Sequence, residues 1–278
     1  EAIYQDLIAT GTRNHVVYAN LAAICGMGKR FDELIEFAQK SLELNPYQPE
    51  VYFNLGNTFQ EKGDYKAAIK SYKDALNYKP HYLEAYTNMG NAYKKNGDLD
   101  NAVRSYKKAL RINPNNSDIQ INIGNTLKTK KDLDDSINAY RKAIQIDPRR
   151  PEAHNNLGLA LHMRGDLKAA ISSYETALVL QPSDPDTHNN LGNTLKGLGD
   201  IPAAIASYKT AIELKPNCQS AHYNLGNALH EWGDLKAAIS SYETALVLQP
   251  NDPDTHNNLG NTLKGLGDIP AAIASYKT

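Results

Sequence analysis

Asn54-Leu55-Gly56-Asn57 is a word that this chain repeats, whole or with small changes, at a constant interval. Its first Asn returns at Asn20, Asn54, Asn88, Asn122, Asn156, Asn190, Asn224 and Asn258, always 34 residues on. A fixed period of that length marks a solenoid of stacked supersecondary units, each burying its apolar face against its neighbours. Counting globular domains from the length of 278 residues therefore does not apply.

A second marker sets the unit boundaries. Pro46, Pro80, Pro114, Pro148, Pro182, Pro216 and Pro250 share one slot. The first complete unit then spans 15–48, followed by 49–82, 83–116, 117–150, 151–184, 185–218 and 219–252, with a clipped eighth at 253–278. Residues 1–14 carry Tyr4 in a recurring aromatic slot and read as the second helix of an incomplete upstream unit. An array cut at both ends exposes apolar faces that a neighbour would cover. A fragment of a longer protein is expected, with frayed ends or end-to-end stacking of chains.

Each unit reads as two helices. In 151–184 the run EAHNNLGLALHMR places Leu157 and Leu161 one turn apart and stops at Gly165. Asp166 is then expected to cap a second helix, LKAAISSYETALVLQ, which Pro182 closes. Pro202 and Pro270 fall in the first turn after Asp200 and Asp268, where a missing amide hydrogen breaks no intrahelical bond.

Small residues recur where two helices must approach: Gly56, Gly90, Gly124, Gly158, Gly192, Gly226 and Gly260 on the first helix, and Ala68, Ala102, Ala170, Ala204, Ala238 and Ala272 on the second. Tyr72, Tyr106, Tyr140, Tyr174, Tyr208, Tyr242 and Tyr276 share one slot, with an Ala three residues after each of the first six. This pattern resembles the tetratricopeptide repeat over residues 15–278. The resemblance implies an all-α, right-handed superhelix of antiparallel helix pairs whose first helices line the concave side and bind extended peptides or partner segments. Two units depart from it. In the first, Leu34 and Ala38 exchange the small and large slots and Ala22 replaces Gly, which predicts a shifted packing angle; in the fourth, Lys131 and Ser136 replace Gly and Ala. Residues 165–210 recur as 233–278 with Ser183 against Asn251 as the only change, so nearly the same surface is presented twice, as multivalent binding would use.

Composition narrows the function. A net charge of -1 gives no global attraction for nucleic acid or an acidic membrane. There is no apolar run long enough to span a bilayer. Cys25 and Cys218 stand in distant units and are expected as free thiols, which suits a reducing, cytoplasmic setting. No nucleophile and base pairing, phosphate-cradling loop or CxxC spacing occurs, so neither an enzyme nor a cofactor site is expected.

The candidate site is the Asn column. A carboxamide offers donor and acceptor together and matches the peptide group of an extended chain without selecting its side chains. The column resembles the asparagine ladder in the repeat region of O-linked N-acetylglucosamine transferases. A competing role is internal, each Asn satisfying a neighbouring helix. A second column, Asn57, Asn91, Asn125, Asn193, Asn227 and Asn261, lies three residues on and nearly on the same face. One turn further come Lys94, Lys128, Lys196 and Lys264, with His162 and His230 in the matching slots, giving the strip a mildly basic edge. Acids at Glu50, Glu84, Asp118, Glu152, Asp186 and Asp254 would repel a carboxylate, which disfavours the carboxylate clamp of some family cochaperones. His154, His188, His222 and His256 also share a slot, but helices packed about 8 to 10 Å apart keep them from converging on one metal ion.

The expected function is a non-catalytic protein interaction scaffold that holds an extended partner segment in its groove. Two rivals are the substrate-recruiting arm of a larger glycosyltransferase and a self-associating structural array.

Overall fold

The computed structural model describes residues 1–277, which hold seventeen helices and no strand. They fall into two compact units, Glu1–Asp132 and a second from Leu133 on. The first contains α1 (Ala2–Ala9), α2 (His15–Met27), α3 (Phe31–Leu44), α4 (Pro49–Glu61), α5 (Tyr65–Tyr78), α6 (Leu83–Lys95), α7 (Leu99–Ile112) and α8 (Ser117–Thr129). The second contains α9 (Leu133–Ile146), α10 (Pro151–Arg164), α11 (Leu167–Leu180), α12 (Pro185–Leu198), α13 (Ile201–Leu214), α14 (Gln219–Trp232), α15 (Leu235–Leu248), α16 (Pro253–Leu266) and α17 (Ile269–Tyr276).

Helices of equal length joined by short turns fold back as antiparallel hairpins. Gly165 makes one such turn at φ 94°, a region glycine enters without a Cβ clash. Lys131 holds the same turn at φ 68° with a side chain attached, a strained choice for a lysine. The second helices start on aspartate caps: Asp64, Asp98, Asp200, Asp234 and Asp268 each accept a hydrogen bond from a backbone amide of the first turn. Asp166 does not cap its helix as the sequence suggested. Arg164, two residues earlier, draws the carboxylate into an ion pair instead.

From the second hairpin on, the core is a tyrosine against a glycine. Tyr72, Tyr106, Tyr174, Tyr208 and Tyr242 are almost wholly buried. A Cβ placed on Gly56, Gly90, Gly158, Gly192 or Gly226 would come within 2.4 to 2.7 Å of the Cε1 atom of the facing ring. The backbone of the first helix therefore lies flat on the ring, and burying each ring stabilises its hairpin by on the order of 2 to 3 kcal/mol. In the first hairpin the aromatic slot holds Ala38, and the space is filled by Leu34 with Ala22 in place of glycine. Small and large have changed sides together.

Within each unit, the first helix of one hairpin touches the first helix of the next, as α2 does α4 and α12 does α14. Successive second helices are not packed to that extent among the described residues. The first helices are thus on the crowded, inner side, and grooves open between the second helices.

Candidate functional site: two asparagine strips

In the Glu1–Asp132 unit the ladder residues are Asn20, Asn54, Asn88 and Asn122. Asn54 is exposed, the others half-buried. Asn20 donates Nδ2–H to Tyr4 Oη at 3.0 Å, and Asn88 donates to Asn57 Oδ1 at 2.9 Å. Asn57 Oδ1 also accepts the Tyr72 hydroxyl at 2.8 Å, so it joins two hairpins at one atom. Asn54 and Asn57 line a cavity of about 410 Å³ between α2 and α4, together with Met27, Thr58 and Glu61.

The second unit repeats the arrangement with Asn156, Asn190, Asn224 and Asn258, all half-buried. Asn190 donates to Asn155 Oδ1 at 3.3 Å and Asn224 to Asn189 Oδ1 at 3.0 Å. Asn258 donates both to Tyr223 Oη at 3.1 Å and to Asn227 Oδ1 at 2.9 Å. Asn155, Asn189 and Tyr223, each one residue before the previous ladder Asn, were not singled out from the sequence; Asn227 belongs to the second column. The doublets Asn155-Asn156, Asn189-Asn190 and Asn257-Asn258 were the available signal. Among the described residues, the side chains of Asn54, Asn122 and Asn156 have no hydrogen-bond partner.

The second column has a definite internal role. Asn57, Asn91, Asn193, Asn227 and Asn261 each accept, through Oδ1, the hydroxyl of the tyrosine fifteen residues later, at 2.6 to 2.8 Å. Leu159 occupies this slot in the 151–184 repeat, and there the Tyr174 hydroxyl is buried with no hydrogen bond. Asn125 is half-buried and also engaged within the protein.

Counting donors and acceptors shows what remains. The ladder residues that are engaged use Nδ2 and leave Oδ1 open; the second column uses Oδ1 and leaves Nδ2 open. Each strip therefore shows acceptors from one column and donors from the other.

Lys94 and Lys128 stand half-buried at the edge of the first strip. Desolvation lowers the pKa of both, and each feels a further lysine, Lys95 for Lys94 and Lys94 for Lys128. No ion pair neutralises either among the described residues. In the second unit Lys196 is half-buried and Lys264 exposed. His162 and His230 point Nδ1 at Thr194 and Thr262, at 2.9 and 2.8 Å. Both threonines donate their own hydrogens to the Asn190 and Asn258 carbonyls, so both imidazoles must carry the proton on Nδ1. The Nε2 lone pair of His162 is left as an acceptor. Burial pushes the His162 pKa down, keeping it neutral.

His154, His188, His222 and His256 each donate Nε2–H to the carbonyl of the proline six residues earlier, at 2.8 to 3.0 Å. They tie the start of a first helix to the preceding turn. Among the described residues no group of three or more His, Cys, Asp or Glu could hold a metal ion, and no helix is long and apolar enough to cross a membrane. Cys25 and Cys218 are buried free thiols. Burial raises the pKa of Cys25.

Hairpins of this pitch, built on a glycine and tyrosine core, define a tetratricopeptide repeat array, the fold of protein–protein interaction scaffolds. Within that class the chain belongs to the family described as the cilia and flagella-associated protein 70 C-terminal domain, whose model matches residues 18–259. Solved structures agree on the fold. The crystal structure of MamA is 29% identical with a TM-score of 0.55, covering 58% of this chain and 95% of MamA. The C-terminal part of a TPR repeat-containing protein from Cytophaga hutchinsonii reaches a TM-score of 0.71 at 18% identity, over 87% of this chain and 99% of that one. YrrB, described as a TPR protein with an unusual peptide-binding site, is 23% identical with a TM-score of 0.55, over 66% of this chain and 95% of its own. A comparison with curated protein sequences finds no match. The likeness to O-linked N-acetylglucosamine transferases rests on the Asn column alone.

Proposed function

We propose that this scaffold binds an extended, unfolded partner segment through its peptide backbone, using the two asparagine strips. The observation that supports this is the division of labour between the columns. Internal bonds take the donors of Asn88, Asn190, Asn224 and Asn258 and the second column's acceptors, which leaves Oδ1 of those four for ligand N–H groups, alongside the unengaged Oδ1 of Asn54 and Asn122. Nδ2 of Asn57, Asn91, Asn193, Asn227 and Asn261 remains for ligand carbonyls. An extended chain alternates those groups. The internal bonds also hold the engaged carboxamides in place beforehand, which reduces the ordering cost of binding. Lys94, Lys128, Lys196 and Lys264 would bias the choice of side chains rather than supply the grip.

Asn54 and Asn122 allow a clean test, because removing either side chain breaks no internal bond. A linear peptide is selected against the intact chain from a random library, and its affinity is measured for the wild type and for Asn54→Ala/Asn122→Ala. Two lost bonds at about 1 kcal/mol each weaken binding about thirtyfold, with unchanged thermal stability. Replacing the peptide's alternate amides by N-methyl amides produces a comparable loss. Unchanged affinity in both experiments would remove the strips from the binding site.

A further inference from the structure

A second surface lies on the opposite side of the first unit. Between the second helices α5 and α7, over the first helix α6, there is a groove of about 630 Å³. Its floor is Tyr86, Met89 and Tyr93. At roughly 100° per residue these three project about half a turn away from Asn88 and Asn91 on the same helix. The groove and the asparagine strip are therefore separate surfaces.

Four cations rim it: Lys70 and Lys73 from α5, Arg104 and Lys108 from α7. Asp74 is the single acid on the lining. Lys108 Nζ lies 5.5 Å from the centre of the Tyr86 ring and Lys73 Nζ 5.8 Å from that of Tyr93, so the ring faces hold two ammonium groups at the groove's edges. Among the described residues none of the four cations is in an ion pair. Arg104 and Lys73 reach as far as Asp98, whose carboxyl is held below its usual range first by hydrogen bonds from Asn101 and then by these two charges.

This charge is not imposed by the fold. The equivalent groove of the second unit, between α13 and α15, has a volume of about 470 Å³ and a floor of His222, Leu225 and Leu229. The slots of Lys70, Arg104 and Lys108 hold Ala206, Ser240 and Thr244 there, and Glu213 and Asp234 line it against Lys209. The same architecture is built without a basic rim in one unit and with one in the other.

We infer that the α5–α7 groove is a docking site for an acidic peptide segment that carries an aromatic or large aliphatic side chain between its carboxylates. The apolar side chain would lie on Tyr86, Met89 and Tyr93, with acids on either side meeting Lys70 and Lys73 across from Arg104 and Lys108. A polyanion such as single-stranded RNA fits less well: the whole chain carries a net charge of -1, and the phosphates would lie over the apolar floor and beside Asp74.

The test uses the full chain and fluorescein-labelled synthetic peptides read by fluorescence anisotropy. One peptide has Leu-Phe flanked by glutamates, a second has Leu-Phe flanked by lysines, and a third has Ser-Ser flanked by glutamates. The first is expected to bind at least tenfold tighter than either of the others and to weaken as salt is added. Lys70→Glu/Lys108→Glu should reduce its affinity at least tenfold, whereas Lys70→Arg/Lys108→Arg retains it. Lys168→Glu/Lys236→Glu makes the same change of net charge elsewhere and leaves binding unchanged, and circular dichroism confirms that every variant is folded. Equal loss with both charge reversals, equal binding of the first and third peptides, no binding of the first, or tighter binding of a labelled oligouridylate would each overturn the assignment.

Discussion

Two tyrosines in equivalent slots should respond to the same substitution with opposite signs. Tyr174 and Tyr208 are both wholly buried, each against the glycine of its own hairpin. Tyr208 donates its hydroxyl to Asn193 Oδ1 at 2.8 Å. Tyr174 has Leu159 where that acceptor would stand, and its hydroxyl is unpaired. The nearby Thr194 hydroxyl is engaged elsewhere, donating to the Asn190 carbonyl and meeting His162 Nδ1. Tyr208→Phe removes a made bond and costs about 1 kcal/mol; Tyr174→Phe removes a buried oxygen that has lost its water without replacement, and stabilises by about 1 kcal/mol. The two variants therefore differ by about 2 kcal/mol, although their volume changes are the same.

Urea unfolding followed by circular dichroism gives the midpoints. Because stability in a repeat array is a sum of hairpin and neighbour contributions, hydrogen exchange within α10 and α11 localises the effect of the Tyr174 change. A double-mutant cycle sharpens the test: Leu159→Asn should bring a favourable coupling with Tyr174 that disappears alongside Tyr174→Phe. Midpoint shifts of the same sign and size for the two Phe variants, or a cycle with no coupling, would refute the reasoning.

The remaining predictions use the same core. Gly226→Ala would place its Cβ 2.6 Å from Tyr242 Cε1, and displacing a buried ring costs about 1 to 3 kcal/mol, more than the roughly 1 kcal/mol that alanine's helix preference returns; thermal melting should show a net loss. At high pH the core tyrosines govern stability. Burial raises the pKa of Tyr72, Tyr106, Tyr140, Tyr174, Tyr208 and Tyr242, so their neutral forms stabilise the fold fully below the unfolded value of about 10, and that stability is lost as pH rises past it. The lowered pKa values of Lys94 and Lys128 act in the other direction, gaining stability as pH rises toward about 10.5, but two groups do not offset six. Alkaline titration should show tyrosinate absorbance rising in step with loss of helix; ionisation of all tyrosines with the helices intact would contradict it.

Much of this was legible in the chain itself. The constant interval gave the helices, and the joint change at Ala22, Leu34 and Ala38 already hinted that glycine and tyrosine face each other. The gap at Leu159 in the second Asn column was visible too, but its meaning required the Tyr174 hydroxyl beside it. The two Asn columns looked alike in sequence because residue type does not state which end of a carboxamide is occupied. That depends on what the next hairpin presents, and only the folded arrangement supplies Asn155, Asn189 and Tyr223 as acceptors. The Asp166 cap failed for a similar reason: helix-start preference concerns the nearest amides, while Arg164 offers a full charge from the preceding turn.

Backbone recognition leaves the question of what would distinguish one partner segment from another. Carboxamides that read only N–H and C=O groups are indifferent to sequence, so selectivity must come from the positions beside them. In the first unit those positions hold Lys94 and Lys128, two ammonium groups that are partly desolvated, mutually repelling and without a neutralising acid. A carboxylate on the ligand would supply the missing counter-charge and offset both the repulsion and the lost hydration, and the proton affinity of both lysines should rise when it binds. In the second unit the matching slots hold Lys196 and Lys264 together with His230 and the neutral His162, where a ligand hydroxyl or amide can donate to Nε2. If the two strips act as proposed, the first prefers acidic segments and the second combines acidic with polar uncharged side chains, even though their asparagines are arranged alike.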